Sequence, residues 1–125
     1  MTPKETVQLV YDAFASGDME KFASVFAENC ISVMNGMHFV SGTYHGLDAI
    51  MTQMMERVGK HFPDGTAIEI VKMFADGNDV FTMGTIRGDG VEMFVGHHNV
   101  VVDGKIKEMH IFDDSQKWAM TLKPM

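Results

Sequence analysis

The most constraining feature of this sequence is a pair of long apolar-rich runs, residues 91–102 and 106–112, joined by Asp103-Gly104. Asp-Gly between β-branched runs is the strongest short-range signal for a β-hairpin, because both residues tolerate the positive φ of a tight turn. The sequence therefore predicts a long hairpin near its C-terminal end. The rest of the fold must supply strands that extend this sheet and helices that cover one of its faces.

The length of the chain bounds the number of domains. A chain of 125 residues is expected to form a single domain, residues 1–125, with a sizeable core. No apolar run approaches the roughly 20 residues that a membrane span needs. The first five residues, Met-Thr-Pro-Lys-Glu, read directly into a helix and not into a secretory leader. A cytoplasmic location is therefore expected.

The charge balance limits the partners that this chain can take. Ten basic and seventeen acidic residues give a net charge of -7, and no Lys/Arg cluster interrupts it. Such a surface repels phosphate backbones and anionic lipids, so we expect neither nucleic acid nor membrane as a partner. Because a Gly-rich phosphate loop, a Gly-x-Ser-x-Gly motif and a Cys-His nucleophile pair are missing from the sequence, no cofactor is expected either.

The single cysteine and the six histidines are candidate metal ligands or reactive groups. Cys30 stands alone in an apolar run, which is typical of a buried, inert thiol. Adjacent His97 and His98 point to opposite faces of a strand and cannot both bind one ion. A cross-strand pair of His97 and His110 lacks a third good ligand. The sequence therefore predicts no functional metal.

The N-terminal third predicts two helices in close contact. Residues 2–5, Thr-Pro-Lys-Glu, have the form of a capping box with proline at the first helical position. Ser16-Gly17 ends this helix, and Asp18 caps a second one. The apolar face of the second helix is predicted to comprise Phe22, Val25 and Phe26.

The remainder predicts strands around one further helix. Residues 30–34 indicate a short strand, and an irregular loop follows to Gly46. A Met-rich stripe predicts a third helix that ends by Phe62, before Pro63. Runs 66–74 and 80–86 then precede the hairpin at the spacing of an antiparallel meander. Helices first and a meander afterwards indicate an α+β fold with helices on one sheet face.

Four segments together resemble a known superfamily: residues 11–18 (Tyr-Asp-Ala-Phe-Ala-Ser-Gly-Asp), 26–30 (Phe-Ala-Glu-Asn-Cys), 44–50 (Tyr-His-Gly-Leu-Asp-Ala-Ile) and 103–106 (Asp-Gly-Lys-Ile). The chain resembles the nuclear-transport-factor-2-like superfamily, and within it the SnoaL-like and ketosteroid-isomerase-like group. The resemblance implies the cystatin-like α+β fold, in which a strongly curved antiparallel sheet forms a cone with the N-terminal helices. It also implies an apolar pocket inside the cone and a homodimer through the outer sheet face.

The catalytic residues of the group do not carry over. The position of the isomerases' tyrosine donor, counted back from Gly17, holds Val10. The position of their general-base aspartate holds Met34. The last-strand aspartate of the cyclases and epoxide hydrolases corresponds to Ile111. These three mechanisms are therefore not expected here.

One correspondence survives in altered form, because the isomerases' neutral aspartic acid falls at His97 or His98. A two-residue turn would place His97 opposite His110, whereas a three-residue turn would place it opposite Met109. Either turn leaves one of the two histidines facing the pocket, and the choice between them stays open. A pocket histidine can act as acid, base or oxyanion donor near neutral pH.

Two further polar residues have alternative roles. Asn35 lies beside the missing base position and could donate a hydrogen bond to a ligand carbonyl, or it could serve only the turn before Gly36. Asp113 could reach the mouth of the pocket, or it could help to cap the final segment that holds Trp118. Candidate catalytic residues are therefore His97, His98, Asn35 and Asp113.

The sequence supports two functional hypotheses. The first is a pocket for a small hydrophobic molecule, with cofactor-free acid–base chemistry of isomerase, cyclase, dehydratase or hydrolase type at the hairpin histidine. The second is a non-catalytic binding or dimerisation module whose pocket is filled by its own methionines. The thirteen methionines are consistent with an open pocket or a filled one, because thioether side chains adapt to irregular apolar shapes. The predicted lining is Val10, Phe14, Met34, Phe39, Met51, Met54, Met55, Met83, Met109 and Ile111.

Overall fold

The computed structural model describes residues 1–121 and has an α+β architecture with a curved six-stranded sheet. The strand order is β2-β1-β6-β5-β4-β3. In chain order the elements are α1 Pro3–Ser16, α2 Met19–Ser24, β1 Phe26–Met34, β2 Gly42–His45, α3 Leu47–Ala49, a π-helical segment Ile50–Met54, α4 Met55–His61, β3 Ala67–Asp76, β4 Asp79–Gly88, β5 Val91–Val102, β6 Lys105–Ile111 and α5 Ser115–Thr121.

The predicted capping box begins α1. The Glu5 amide donates to the Thr2 hydroxyl at 3.1 Å, and the Thr2 amide donates to the Glu5 carboxylate at 2.9 Å. The helix ends at Gly17, whose φ of 74° is accessible to glycine without strain. The apolar face of α1 packs on the inner face of the sheet, so this helix forms one wall of the space inside the fold.

The second helix is shorter than predicted. It ends at Ser24, and Phe26 already belongs to β1. The reason is tertiary, because the amide of Ile106 in β6 donates to the carbonyl of Val25 at 2.9 Å. This pairing draws the chain into the sheet at Phe26, four residues before the strand predicted from the local pattern.

The sheet is mixed and not purely antiparallel. β1 runs parallel to β6, whereas the other four neighbouring pairs within the described part of the chain are antiparallel. A parallel pair needs a long crossover connection, and here the connection comprises every element between β1 and β6. The N-terminal part of the chain and the C-terminal hairpin therefore meet at the centre of the sheet.

Of the two turn lengths that the sequence left open, the structure has the two-residue turn, but the pairing of His97 expected from either length is wrong. Val102 pairs with Lys105, and Asp103 and Gly104 have φ angles of 51° and 75°. A bulge between Val100 and Val101 then shifts the register by one residue. As a result His97 lies opposite Ile111, and His98 lies opposite His110.

The third predicted helix is interrupted by the π-helical segment Ile50–Met54. Its buried residues are Ile50 and Met54, and the Ser32 hydroxyl lies 3.4 Å from the Met54 sulfur. Segments of this kind are rare and occur mostly as local wide turns inside α-helices. The segment brings a methionine side chain against the inner face of β1.

Among residues 1–121, every helix is too short or too polar to span a membrane.

Candidate functional site

A cavity of about 90 Å³ lies between the inner face of the sheet and the helices. Twelve of its sixteen wall residues are apolar, and the four polar ones are Tyr11, His97, Asn99 and Asp113. Apolar walls with a few convergent polar groups are typical of small-molecule sites. The apolar wall residues are Val10, Phe14, Phe22, Met34, Met54, Met55, Val58, Ile68, Ile86, Met109, Ile111 and Trp118.

Three of the four polar wall residues form a chain. The hydroxyl oxygen of Tyr11 lies 2.7 Å from Nδ1 of His97, and the two rings are stacked with an interplanar angle of 5°. On the other side of the imidazole, Nε2 lies 3.4 Å from Oδ1 of Asp113. This contact is within ion-pair distance but is not a hydrogen bond, because Oδ1 of Asp113 has no hydrogen-bond partner among the described residues. In the tautomer that carries its proton on Nε2, Nδ1 accepts the hydrogen bond from the Tyr11 hydroxyl.

Asp113 is also held by two residues that are not part of the Tyr11–His97–Asp113 arrangement. Its Oδ2 accepts a hydrogen bond from Nε1 of Trp118 at 3.2 Å. Its backbone amide donates to Oδ1 of Asn35 at 3.2 Å, and its carbonyl accepts from Nδ2 of Asn35 at 2.9 Å. Both ends of the Asn35 amide are therefore used on the backbone of Asp113. This pair of bonds fixes the carboxylate relative to His97.

The loop that carries Asn35 crosses closely over the start of α5. A Cβ added to Gly36 would lie 2.4 Å from Cβ of Ser115, and Gly36 has a φ of 90°. Both observations require glycine at this position. The cap of α5 is Asp114, whose carboxylate accepts from the Lys117 amide at 3.1 Å. Asp113 is thereby free to turn its own carboxylate into the cavity.

Burial raises the pKa of Tyr11 to about 12. The negative charge of Asp113 adds to this increase, and the nearby Thr82 hydroxyl opposes it. Taking a phenolate out of water is costly, so the neutral hydroxyl dominates throughout the physiological range. Tyr11 can therefore donate or relay a proton, but it does not persist as an anion in the resting protein.

The two candidate histidines lie on opposite faces of β5. His97 lines the cavity, whereas His98 lies on the outer face with Nε2 2.7 Å from Oδ1 of Asp79. His98 also stacks on His110 at a ring separation of 5.6 Å. Alternation along the strand explains the difference, because successive side chains point to opposite sides. The structure therefore brings His97 and Asp113 together, keeps Asn35 behind Asp113, and excludes His98 from the cavity.

Three of the predicted lining residues lie elsewhere. Met83 is 46% exposed on the outer face, because its buried neighbours Thr82 and Gly84 take the inward positions of β4. Phe39 packs against the Arg57 guanidinium at 5.4 Å instead of the cavity. Met51 is half-buried in the π-helical segment, whose inward positions belong to other residues. The remaining predicted residues all line the cavity: Val10, Phe14, Met34, Met54, Met55, Met109 and Ile111.

Sequence reasoning missed Tyr11 and Asn99. Tyr11 follows Val7 by four positions, which puts both on the buried side of α1. Asn99 follows His97 by two positions, in register with Met93 and Val95 on the inner face of β5. Both positions could have been found from periodicity, because each places a polar group in an otherwise apolar repeat.

The described residues contain no group of three His, Cys, Asp or Glu side chains arranged to hold a metal ion. Cys30 is fully buried, as predicted, and burial raises the pKa of its thiol to about 11. A thiol in this environment is a poor nucleophile, since the reactive species is the thiolate. Chemistry in the cavity would therefore fall to Tyr11, His97 and Asp113.

A curved sheet wrapped on N-terminal helices, with three linked polar residues at the wall of an apolar cavity, defines a class of small α+β domains. The profile of the SnoaL-like domain family matches residues 7–109, and this chain belongs to that family. The match confirms the resemblance seen in the sequence. A comparison with curated proteins found no match.

Solved structures with the same fold cover nearly the whole chain. A protein with a cystatin-like fold from Xanthomonas campestris has a TM-score of 0.90 at 21% identity, over 99% of this chain and 100% of that one. An NTF2-like protein from Burkholderia thailandensis has a TM-score of 0.89 at 24% identity, over 99% of both chains. IdmH from Streptomyces antibioticus, provisionally assigned as a polyketide cyclase, has a TM-score of 0.79 at 21% identity, over 97% and 98%. These similarities confirm the predicted NTF2-like, cystatin-like fold.

Proposed function

We propose that this protein is a cofactor-free acid–base enzyme for a small, largely apolar carbonyl or hydroxyl compound. The observation that carries the proposal is the chain of Tyr11, His97 and Asp113 at the wall of an apolar cavity. General acid–base catalysis needs a titratable group positioned beside the ligand, and an apolar surrounding strengthens each polar contact that the ligand makes. Tyr11 is the member of the chain that would touch the ligand, and His97 would act through it.

The chain can move a proton in either direction. With His97 neutral, Nδ1 accepts the Tyr11 proton while the tyrosine oxygen takes a proton from an acidic O–H or C–H bond of the ligand. With His97 protonated, both ring nitrogens donate, and Tyr11 is free to donate its own hydrogen to a ligand carbonyl oxygen. In both cases Nε2 of His97 faces the Asp113 carboxylate at 3.4 Å.

Membership of the SnoaL-like family supports a ligand-binding cavity of this kind. One structural neighbour, IdmH, is provisionally assigned as a polyketide cyclase. The apolar majority of the wall residues favours ligands with a hydrocarbon body and one or two polar ends. These observations support a small ligand that is mostly hydrocarbon and carries one or two polar groups.

The test is proton exchange at the carbon next to a carbonyl group. Purified protein in D₂O would be incubated with a panel of small cyclic ketones, and loss of the α-proton signals would be followed by NMR. We expect exchange above the buffer rate for wild type, and a fall of at least about 10²-fold for His97→Ala. His98→Ala is the matched control, because this neighbour lies on the opposite face. If both variants lose exchange activity equally, or if His97→Ala keeps it, then Tyr11, His97 and Asp113 do not carry out the proton transfer.

A second candidate function rests on the small size of the cavity. A volume of about 90 Å³ is below the range of most drug-sized ligand sites, and Met34, Met54, Met55 and Met109 occupy its wall. In this alternative the methionines fill the pocket of a non-catalytic binding or dimerisation module. A thermal-shift screen against hydrophobic ketones, phenols, epoxides, steroids and fatty acids separates the two. Ligand at 100 times its Kd adds about 2.7 kcal/mol of stability to an open pocket, whereas a filled one gives no shift.

The outer sheet face supports a second proposal, a homodimer. Five apolar side chains lie on the outer face of β3, β4 and β5 and just after β6. They share this face with His98 and His110 and with the charged cluster of Arg87, Glu69 and Glu92. An apolar face of this kind is unusual on a monomer, and a second copy offers the same face in a two-fold arrangement. The apolar residues on this face are Phe74, Phe81, Met83, Phe94 and Phe112.

A further inference from the structure

The fourth polar wall residue, Asn99, is not used by the proton-transfer chain. It is 2% exposed and lines the cavity, yet its Oδ1 has no hydrogen-bond partner within the described part of the protein. Its partners on the adjacent strands are Val80 and Met109, neither of which has a hydrogen-bond donor in its side chain. Buried polar atoms are normally paired, so an unpaired one in a cavity wall needs an explanation.

We infer that Asn99 is a specificity residue that accepts a hydrogen bond from a hydroxyl group of the ligand. This inference rests on the proposed function, because it assigns the second polar end of the same ligand. A hydroxyl donor fits the unpaired oxygen, whereas a purely hydrocarbon ligand would leave the oxygen unpaired after water is excluded. A site rejects an analogue without the matching polar group most strongly when binding that analogue would leave the site's own polar group buried and unpaired.

The position of Asn99 sets the spacing between the two polar ends of the ligand. His97 and Asn99 are two residues apart on the same face of β5, which separates their Cα atoms by roughly 6 to 7 Å. Because the Tyr11 hydroxyl lies beside His97, a compact ligand can contact Tyr11 with one polar end and Asn99 with the other. The ligand class is a compact hydroxyketone, such as a hydroxy-substituted cyclic ketone, with its carbonyl group at Tyr11 and its hydroxyl group at Asn99.

The test compares three ketones that differ in one group. Kd values for cyclohexanone, 4-hydroxycyclohexanone and 1,4-cyclohexanedione would be measured by NMR titration of the wild-type protein, alongside the α-proton exchange rate of each. We expect the hydroxyketone to bind about fivefold more tightly than cyclohexanone, within the range of one net hydrogen bond. Tightest binding of the dione, which offers a second acceptor, would overturn the assignment of Asn99 as an acceptor.

The variant Asn99→Leu replaces the amide by a side chain of similar size without polar atoms. It should bind cyclohexanone and 4-hydroxycyclohexanone equally, while Asn29→Leu, at an exposed asparagine of β1, should keep the wild-type preference. The wild-type measurement tests the inference even if Asn99→Leu does not fold. If the wild-type protein exchanges the α-protons of all three ketones but binds them with equal Kd values, this inference is overturned and the proposed function is not. A wild-type protein that neither binds nor exchanges any of them would overturn the proposed function together with it.

Discussion

The hydroxyl group of Tyr11 and Nδ1 of His97 lie 2.7 Å apart, although 86 positions separate the two residues in the chain. Tyr11 belongs to the first helix and His97 to the first strand of the C-terminal hairpin. Their contact exists because α1 packs across the inner face of β4 and β5. The candidate chemistry of this protein therefore depends on the packing of a helix on a sheet, and not on a local motif.

Replacing Tyr11 by phenylalanine should stop proton transfer while leaving the fold intact. Tyr11→Phe removes the atom proposed to touch the ligand, so α-proton exchange should fall by at least about 10²-fold. The matched control is Tyr44→Phe, because Tyr44 is also buried but hydrogen-bonds to the Val40 carbonyl, outside the cavity wall. The control should lose stability and keep its exchange rate per folded molecule. An unchanged rate in Tyr11→Phe would show that Tyr11 does not relay the proton.

Asn35 is expected to act through Asp113 and not on the ligand. Asn35→Ala removes two hydrogen bonds to the Asp113 backbone, which should lower the free energy of unfolding by about 2 kcal/mol. Exchange catalysis should fall mainly in kcat, because Asp113 loses its fixed position relative to His97. Urea unfolding and steady-state kinetics measure the two effects. A rise in KM at constant kcat would instead indicate that Asn35 contacts the ligand directly.

Stability should decline at alkaline pH in a way that depends on Tyr11. Its pKa rises from 10.0 to about 12 on folding, so the unfolded chain loses its proton first. The stabilising contribution is complete below pH 10 and is lost as the pH rises towards 12, by roughly 2 to 3 kcal/mol. Urea unfolding of wild type and Tyr11→Phe at pH 8 and pH 11.5 measures this loss. The variant should show a smaller alkaline decrease, and equal decreases would argue that Tyr11 is not shielded from water.

A charge placed on the outer sheet face should separate the proposed dimer. Phe94 is 77% exposed on this face, so Phe94→Asp should convert the dimer to a monomer with little effect on folding. Met37→Asp is the control, because Met37 is 96% exposed in the loop before β2. Light scattering after size-exclusion chromatography gives the mass of each. A wild-type protein that is monomeric at high concentration would contradict the proposal before any variant is made.

Periodicity predicted the architecture well, because elements with strong local signals depend little on their surroundings. Thr2 and Glu5 form the predicted capping box, and Asp103-Gly104 forms the predicted turn. Weak local signals gave way to tertiary contacts. The strand predicted at residues 30–34 begins at Phe26, because β6 pairs with the chain there and ends the preceding helix.

The candidate site was predicted only in part, because a shift of one residue in strand register decides which side chain faces the cavity. His97 and His98 were equivalent candidates until the bulge between Val100 and Val101 placed His97 opposite Ile111. On α1, the family's tyrosine position corresponds to Val10, whereas the hydroxyl that reaches His97 belongs to the neighbouring Tyr11. One position changes the direction of a side chain by about 100° on a helix and by 180° on a strand.

The sequence by itself determined the order of helices and strands, the hairpin turn and the apolar character of the interior. Turn geometry, capping and hydrophobic periodicity are local, so they can be read from neighbouring residues. The tertiary structure alone decided that Tyr11, His97 and Asp113 form one chain, that Asn35 stands behind it, and that Asn99 leaves an oxygen unpaired in the cavity wall. These relationships join residues far apart in the chain, and they arise only when helices and sheet pack together.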